Sequence, residues 1–359
     1  MKSELRILFF ADTEKGDVAA IHRCNMIAKE MEKYNIHSTI YTGRTKAAIP
    51  NHTFISTSFA LRNFDILCLH KHGNPLAFML LTLAKLMGKK VILDFDDAVF
   101  AFGQKESAVN HRTINRLWYS CFSPMVRRSD AVIAGGHYLA EYASRLNKNV
   151  HIIPTAVDTS IFKPMTRSYE SNKITIGWMG QGNFHINNLR LLVEPLCQLC
   201  WKYPIRFKMV SALGVSEIKD MFSTKGLESL DVDYGINHLV DITKVPSLMS
   251  DFDISVAPLI NDPFSRGKCA IKVLESMAMG IPVVASAVGE NSYVIKDGVN
   301  GFLASSMMEW VGKLEALIKS EPLRQSIGKA GLETTQESYT LEKCAEKFAD
   351  VCLKLLGEK

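Results

Sequence analysis

No stretch of eighteen apolar residues occurs in this sequence, which removes a membrane-spanning helix from its plain reading. The nearest approach, residues 75–87, is too short and carries Lys85. A basic leader with an apolar core is missing too. Met1-Lys2-Ser3-Glu4-Leu5-Arg6 runs straight into a strand pattern, so no secretory signal is expected. The eight cysteines lack the spacing of a secreted framework and fit reduced thiols in the cytosol. Cys197 and Cys200 form one C-x-x-C within a helical pattern shared with Leu192, Leu196 and Leu199. With no second pair and no histidine cluster, they read as core thiols and not as metal ligands. A strong charge of one sign is absent as well. The net charge of +5 is mild, and no basic platform interleaved with aromatics is present, so nucleic acid is not an expected partner. Neither internal repeats nor low-complexity tracts occur.

What is present is an ordinary globular composition, 47% hydrophobic and 22% charged, in 359 residues. That length accommodates two domains, each with its own core. Apolar runs at 6–10, 37–41, 53–55, 66–70, 91–95, 131–134 and 150–153 read as strands. Helical patterns at 18–34, 76–87, 113–128 and 137–146 lie among them. Strand patterns continue at 174–178, 206–210, 232–234, 254–257 and 282–285. This alternation predicts an α/β protein with parallel sheets and crossover helices. Pro154, Pro164 and the polar run at 166–172 read as a linker, which sets a domain boundary near residue 160. The last helix, 341–356, carries Leu341, Cys344, Phe348, Val351, Cys352 and Leu355 on one stripe and needs a partner surface.

The chemistry concentrates in residues 264–303. A basic loop (Arg266, Gly267, Lys268) opens a helical pattern that ends at Gly280; Pro282 then starts an apolar strand, and a second glycine loop follows at Gly289. On a helix, Lys268, Lys272 and Glu275 fall at i, i+4 and i+7, stacking two cations and a carboxylate on one face. An anion at such a helix N-terminus would meet backbone N–H groups, the helix dipole and both lysines. Glu275, one to two turns deeper, is placed for a sugar hydroxyl pair. The competing reading is a solvated ladder of surface ion pairs, worth a few tenths of a kcal/mol each. The flanking glycine loops and apolar strand favour a ligand-binding βα turn of an open parallel sheet.

This segment resembles the C-terminal signature of glycosyltransferase family 4, the retaining nucleotide-sugar glycosyltransferases of GT-B fold. In that family an E-x7-E motif precedes Ala-x-Gly-x-Pro-Val-Val-Ala-Ser, and glycine loops end in Asn-Gly-Phe-Leu. Glu275 matches the second Glu, residues 277–286 match the run that follows, and Asn300-Gly301-Phe302-Leu303 matches the close. Two positions depart: the first Glu is Gly267, and the Glu expected before Val-Ile-x-Asp-Gly is Tyr293. Gly-Lys-Cys-x-x-Lys resembles a divergent branch of the family. The resemblance is strong over 245–305 and weaker elsewhere. It implies two Rossmann-like domains flanking an interdomain cleft: an N-terminal acceptor domain at 1–160, joined by the C-terminal helix 341–359, and a donor domain at 161–340. It implies no obligatory metal or other cofactor.

The remaining constellations are read against that background. Asp94-Phe95-Asp96-Asp97 ends a strand, at the carboxyl edge where α/β sites form. Carboxylates this close need positive groups nearby. One reading is a helix cap with solvated neighbours, the other acceptor binding or general-base assistance. Alignment on the strand puts Asp96 where the family has a His that contacts the transferred sugar, with Asp97 in support. Gly177-Trp178-Met179-Gly180-Gln181-Gly182 follows the first strand of the second half, and Gly180 and Gly182 would let backbone approach a phosphate. The basic residues that the family places here are absent, which throws the diphosphate onto Arg266, Lys268 and Lys272. Gly16 stands for the family's first glycine loop and would approach diphosphate or acceptor, a simple helix-start turn being the alternative. His70 and His72 are read as loop histidines, since no third metal ligand accompanies them. Residues 105–128 interleave Lys105, His111, Arg112, Arg116, Arg127 and Arg128 with Trp118, Tyr119 and Phe122. Such a helix either packs its aromatics inward or lies on an anionic membrane.

Taken together, the expectation is a retaining glycosyltransferase moving a sugar from a nucleotide-diphosphate sugar to a glycan or lipid-linked acceptor. It would act in the cytoplasm, with peripheral contact at the inner face of the membrane. Lys268, Asp96 and Asp97 would act at the reacting groups, and Arg266, Lys268, Lys272, Glu275, Gly180, Gly182 and Gly289 would bind the donor. A non-catalytic sugar-nucleotide-binding or assembly protein of the same fold and a sugar-nucleotide epimerase are the rivals.

Overall fold

A computed structural model describes residues 4–11, 21–42, 52–104, 120–166, 172–180, 185–210, 216–223, 226–234 and 241–357. The chain forms two compact units. Unit 1 comprises Met1–Ala156, Asp262–Cys269 and Leu341–Lys359; unit 2 comprises Val157–Asn261 and Ala270–Thr340. Residues 262–269 thus pack with unit 1 although they interrupt unit 2 in sequence, an excursion absent from a division into 1–160 and 161–340.

Unit 1 opens with β1 (Leu5–Ala11), a π-helical turn (Ile21–Met26) running into α1 (Ile27–Met31), and β2 (Ile36–Thr42). There follow α2 (His52–Ala60), β3 (Ile66–His70), α3 (Pro75–Leu86), β4 (Lys90–Phe95), α4 (Phe122–Arg128), β5 (Ala131–Ala134), α5 (His137–Ser144) and β6 (Val150–Ile152). The six strands form one parallel sheet in the order β2-β1-β3-β4-β5-β6. Both faces of the sheet are covered, so its strands are apolar almost throughout. Leu8 and Phe10 of β1 join the core beneath α3, α4 and α5, whereas Ile7 and Phe9 join the opposite core beneath α1. Helix α3 begins sharply because Asn74 caps it, its Oδ1 accepting from the Ala77 N–H at 2.9 Å, with Pro75 at the first helical position.

Unit 2 runs through β7 (Ile174–Met179), α6 (Ile186–Cys200), β8 (Ile205–Val210), α7 (Ser216–Phe222), β9 (Asp231–Asp233), α8 (Val245–Met249) and β10 (Ile254–Ala257). The short helix α9 (Pro263–Arg266) belongs to unit 1. Unit 2 resumes with α10 (Ile271–Ala278), β11 (Val283–Ser286), α11 (Asn291–Val294), β12 (Phe302–Ala304), α12 (Met307–Lys319) and α13 (Glu321–Ser338). Its parallel sheet has the order β12-β11-β10-β7-β8-β9. The chain closes with α14 (Leu341–Leu356), which buries Cys344, Phe348 and Cys352 in the unit 1 core beside Ile7 and Phe9.

Two elements differ from the sequence reading. Residues 53–55 lie in helix α2 and not in a strand. Thr, Phe and Ile favour strands individually, but the run continues through a segment that packs as a helix, and packing overrides propensity. Helix α10 begins at Ile271, after Ala270 adopts a left-handed φ of 55°, so Lys268 precedes the helix and does not stack above Lys272 on its face. Edge strand β12 was too short to read from a three-residue pattern.

Candidate functional site

In an open parallel sheet the ligand crevice lies at the carboxyl ends of the two strands between which the winding direction reverses. In unit 2 those strands are β7 and β10. The turn after β7 supplies Gly180, and the chain after β10 leads to α10. Lys272, in the first turn of α10, extends toward the β7 side. Its Nζ lies 5.2 Å from the Trp178 ring centroid and 2.9 Å from His185 Nε2. Gly180 has φ +152°, and a Cβ there would sit 2.4 Å from Lys272 Nζ. The backbone conformation favours glycine, and any side chain there would have to displace the flexible Lys272 ammonium.

His185 is itself held from behind. Its Nδ1 is 2.8 Å from Asn188 Nδ2, while Asn188 Oδ1 accepts from the Ile260 N–H at 2.9 Å. A neutral imidazole accepts through one nitrogen only, so the Asn188 amide and the Lys272 ammonium compete for it. One turn further along α10, Glu275 is 4% exposed. Burial lifts its carboxyl to about 8, against the opposing pull of Lys272. A solvated ion-pair ladder does not describe this carboxyl. On the next strand, the turn after β11 carries Gly289 at φ 56°, followed by buried Glu290 and Asn291, whose Nδ2 donates to the Ser286 carbonyl at 3.1 Å.

Unit 1 carries a second cluster at the carboxyl ends of β3 and β4. Asp94 and Asp96 are buried, and each carboxylate of the Asp94–Asp97 corner has a cation. The Arg23 guanidinium clamps Asp94 with Nε at 3.0 Å from Oδ2 and with Nη2 on Oδ1, while Nη1 donates to the Ile153 carbonyl at 3.0 Å. His70 Nδ1 lies 2.7 Å from Asp94 Oδ2. Lys71 Nζ bridges Asp96 at 2.8 Å and Asp97 at 2.7 Å, from a residue whose φ of 59° is itself strained. Lys268 Nζ donates to Asp97 Oδ1 at 2.7 Å and sits 4.3 Å from the Phe264 ring centroid. Burial would raise the Asp96 carboxyl, but Lys71, His70 and Arg23 outweigh it and hold it down at about 2. Asp97 is lowered in the same way by Lys268 and Lys71. His72 stacks on Phe10 with ring centroids 4.5 Å apart, and neither of its ring nitrogens has a hydrogen-bond partner. Burial and then His70 push it down to about 3, so it is neutral.

The structure therefore brings Gly180, Lys272 and Glu275 together in unit 2, and Asp96, Asp97 and Lys268 together in unit 1. Arg266, at the end of α9, also lies in unit 1. Gly16, Gly182 and most of the basic-aromatic stretch, residues 105–119, lie outside the described residues. Of the described part, Phe122 is buried edge-on against Phe95. Gly267 stands where the family has a Glu, and a Cβ there would lie 2.5 Å from Ala98 Cβ and 2.7 Å from Ala98 N. No side chain fits without moving backbone.

Arg23, Lys71 and His185 were missed in the sequence. An arginine in a helical run reads as surface charge, and Lys71 reads as a loop residue. His185 is separated from Gly180 by four residues, and nothing local marks it as a partner of Lys272. A cavity at the amino-terminal edges of β7, β10 and β11, lined by Lys173, Asp253, Pro282 and Arg324, lies at the opposite end of the unit 2 sheet. Its cations are already engaged, Lys173 with Asp231 and Arg324 with the Leu317 and Ile318 carbonyls, so it carries none of this chemistry.

Residues 173–320 match the sequence family described as Glycosyl transferases group 1. The chain is 34% identical over 87 residues to D-inositol 3-phosphate glycosyltransferase of Corynebacterium aurimucosum, covering 24% of this chain and 20% of that protein. Against the enzyme of that name from Arthrobacter it is 26% identical over 209 residues, 54% of this chain and 46% of the relative. The match thus spans under half the length of these curated relatives. Among solved structures, sucrose-phosphate synthase from Thermosynechococcus elongatus superposes with a TM-score of 0.76 at 15% identity, covering 98% of this chain and 99% of that one. The Anabaena protein HepE, solved in complex with UDP-glucose, gives a TM-score of 0.68 at 15% identity, covering 98% and 100%. The two parallel sheets with their helices are the GT-B fold.

Proposed function

We propose that this protein is a retaining glycosyltransferase that moves a sugar from a nucleotide-diphosphate sugar to a glycan or lipid-linked acceptor, in the synthesis of a cell-surface polysaccharide or glycoconjugate. The observation that carries the reading is Lys272, presented by α10 at the β7/β10 switch point against a glycine that leaves it room. A cation beside an open turn and a helix start suits a diphosphate. HepE, a structural neighbour, holds UDP-glucose, and the family match spans this region.

In this reading the C1–O bond to the diphosphate breaks as the acceptor oxygen bonds to C1, and Lys272 stabilises the charge that collects on the leaving diphosphate. The leaving phosphate takes the acceptor proton, so no general base is obligatory and no metal is required. Glu275, held protonated near neutral pH, offers one O–H donor and an acceptor oxygen, which fits a ribose hydroxyl pair. Gly180 and Gly289 allow close backbone approach to the donor, with Gly182 in the same role. In unit 1, Asp96, Asp97 and Lys268 form the polar corner that handles the reacting groups, with Arg266 nearby in sequence. No side chain at Gly267 takes part in sugar recognition.

Incubation with UDP-, GDP- and dTDP-sugars tests the reading. Release of nucleoside diphosphate, lost in Lys272→Ala and Glu275→Ala, is expected. Binding without any release would favour a sugar-nucleotide-binding or assembly protein, and epimerised donor without acceptor would favour an epimerase.

A further inference from the structure

Helices α2 and α3 lie side by side on one face of the unit 1 sheet, and both have an apolar outer side. In α3 the residues facing the sheet are Ala77, Leu80, Leu81 and Ala84. Pro75, Met79, Thr82 and Leu86, at i, i+4, i+7 and i+11, make the opposite stripe. Leu86 is 81% exposed and Met79 55%. On α2, Ile55 and Phe59 stand one turn apart, and Phe59 is 68% exposed. Single exposed apolar side chains need no explanation, but four large ones on two neighbouring helices of one layer do.

The charge around them is predominantly positive. Residues 52–93 hold a single acidic residue, Asp65, and its Oδ2 accepts from the Arg6 N–H at 3.0 Å. Arg62 is exposed beside the stripe, Lys89 donates to the Arg62 carbonyl from the turn after α3, and Lys85 is paired with Asp130 Oδ1 at 2.6 Å. From the end of α4, the Arg128 guanidinium lies 4.9 Å over the Phe78 ring on α3. Apolar groups ringed by an excess of cations, with the Asp130 carboxylate taken by Lys85, are the pattern of a surface that meets anionic lipid. A second copy of this chain fits less well, because a two-fold contact would set cations against cations.

We propose that the outer faces of α2 and α3 dock on a bilayer carrying anionic headgroups. Phe59, Met79 and Leu86 enter the boundary of the acyl chains, and Arg62, Lys89 and Arg128 meet the phosphates. This surface rests on exposure and charge alone and stands whether or not the protein transfers sugars. It also differs from the basic-aromatic stretch at 105–128, whose described part buries Phe122.

Co-sedimentation of the full chain with vesicles tests it. Phosphatidylcholine alone is compared with phosphatidylcholine containing about a third phosphatidylglycerol. Binding to the anionic vesicles and release by salt are expected. Phe59→Asp with Leu86→Asp, or Arg62→Glu with Lys89→Glu, lowers the bound fraction by about tenfold or more. Phe59→Gln with Leu86→Gln is a milder pair should the first misfold, and circular dichroism with nucleotide-induced thermal shift verifies the fold of each. No binding at low salt overturns the proposal, as does equal binding of folded variants. Light scattering that shows a dimer dissolved by the same substitutions would assign this face to a second copy instead.

Discussion

At the scale of the residue, Lys272 should be the most sensitive position of unit 2 toward an anionic ligand. Charge-assisted hydrogen bonds contribute about 1.5–3 kcal/mol each, so Lys272→Ala should weaken nucleoside-diphosphate binding by roughly 10- to 100-fold, read by calorimetric titration. Glu275 makes a separate prediction about pH. Its folded-state value of about 8 lies above the ordinary 4.5, so the folded state holds this proton more tightly than the unfolded chain. The associated stability is complete below about 4.5 and is lost as pH rises through 8. Glu275→Gln should therefore raise the unfolding temperature at pH 8–9, leave it nearly unchanged at pH 4, and flatten the slope between. Equal slopes in mutant and parent would sink that account. Arg23 behaves in the opposite sense. Its removal in Arg23→Met leaves Asp94 buried without its cation, a loss on the order of 3–5 kcal/mol in urea unfolding at pH 7. The depressed carboxylates Asp96 and Asp97 contribute stability that is present above about 4 and lost as pH falls toward 2. Glu275 stands out in the sequence through its spacing from Lys272 and the motif around it, and the Asp corner through three carboxylates in four residues at a strand end. Arg23 does not, because its partner is 71 residues away.

At the scale of the element, the β7 turn and α10 depend on glycines for different reasons. Gly180 gives way to an ammonium at the end of a flexible side chain, whereas Gly328 of α13 faces backbone. A Cβ on Gly328 would stand 2.1 Å from the Gly280 carbonyl oxygen, at the point where α10 ends in a left-handed turn before Pro282. Gly328→Ala should destabilise unit 2 by about 1–3 kcal/mol without reaching the ligand corner. A Cβ on Gly331 would meet the flexible Met277 side chain at 3.0 Å and the Asn300 carbonyl oxygen at 3.2 Å, a looser approach, so Gly331→Ala should cost less. Urea midpoints for the two variants give the comparison; equal costs would mean that α13 shifts easily. The strands were legible because both sheets are buried on both faces, which leaves nearly continuous apolar runs. The start of α10 was not: a left-handed Ala270 carries no sequence mark, so the helix seemed to extend back to Lys268.

At the scale of the whole molecule, the chain leaves unit 2 for eight residues and returns, and α14 adds its stripe to unit 1. The amphipathic pattern of 341–356 shows that a partner is needed, but the identity of that partner follows only from long-range packing. Deleting residues 341–359 exposes Ile7 and Phe9, the latter 5.8 Å from Phe348 between ring centroids. Thermal unfolding of the truncated chain should show the unit 1 transition weakened and the unit 2 transition retained; simultaneous loss of both would contradict independent cores. The central claim is that the switch point between β7 and β10 holds a nucleoside diphosphate, and titration with UDP, GDP and dTDP tests it most directly. One of the three should bind with a single site, Lys272→Ala should weaken it at least about tenfold, and Lys173→Ala at the far edge of the sheet should not. Binding of none, or a loss in Lys173→Ala with none in Lys272→Ala, would contradict it.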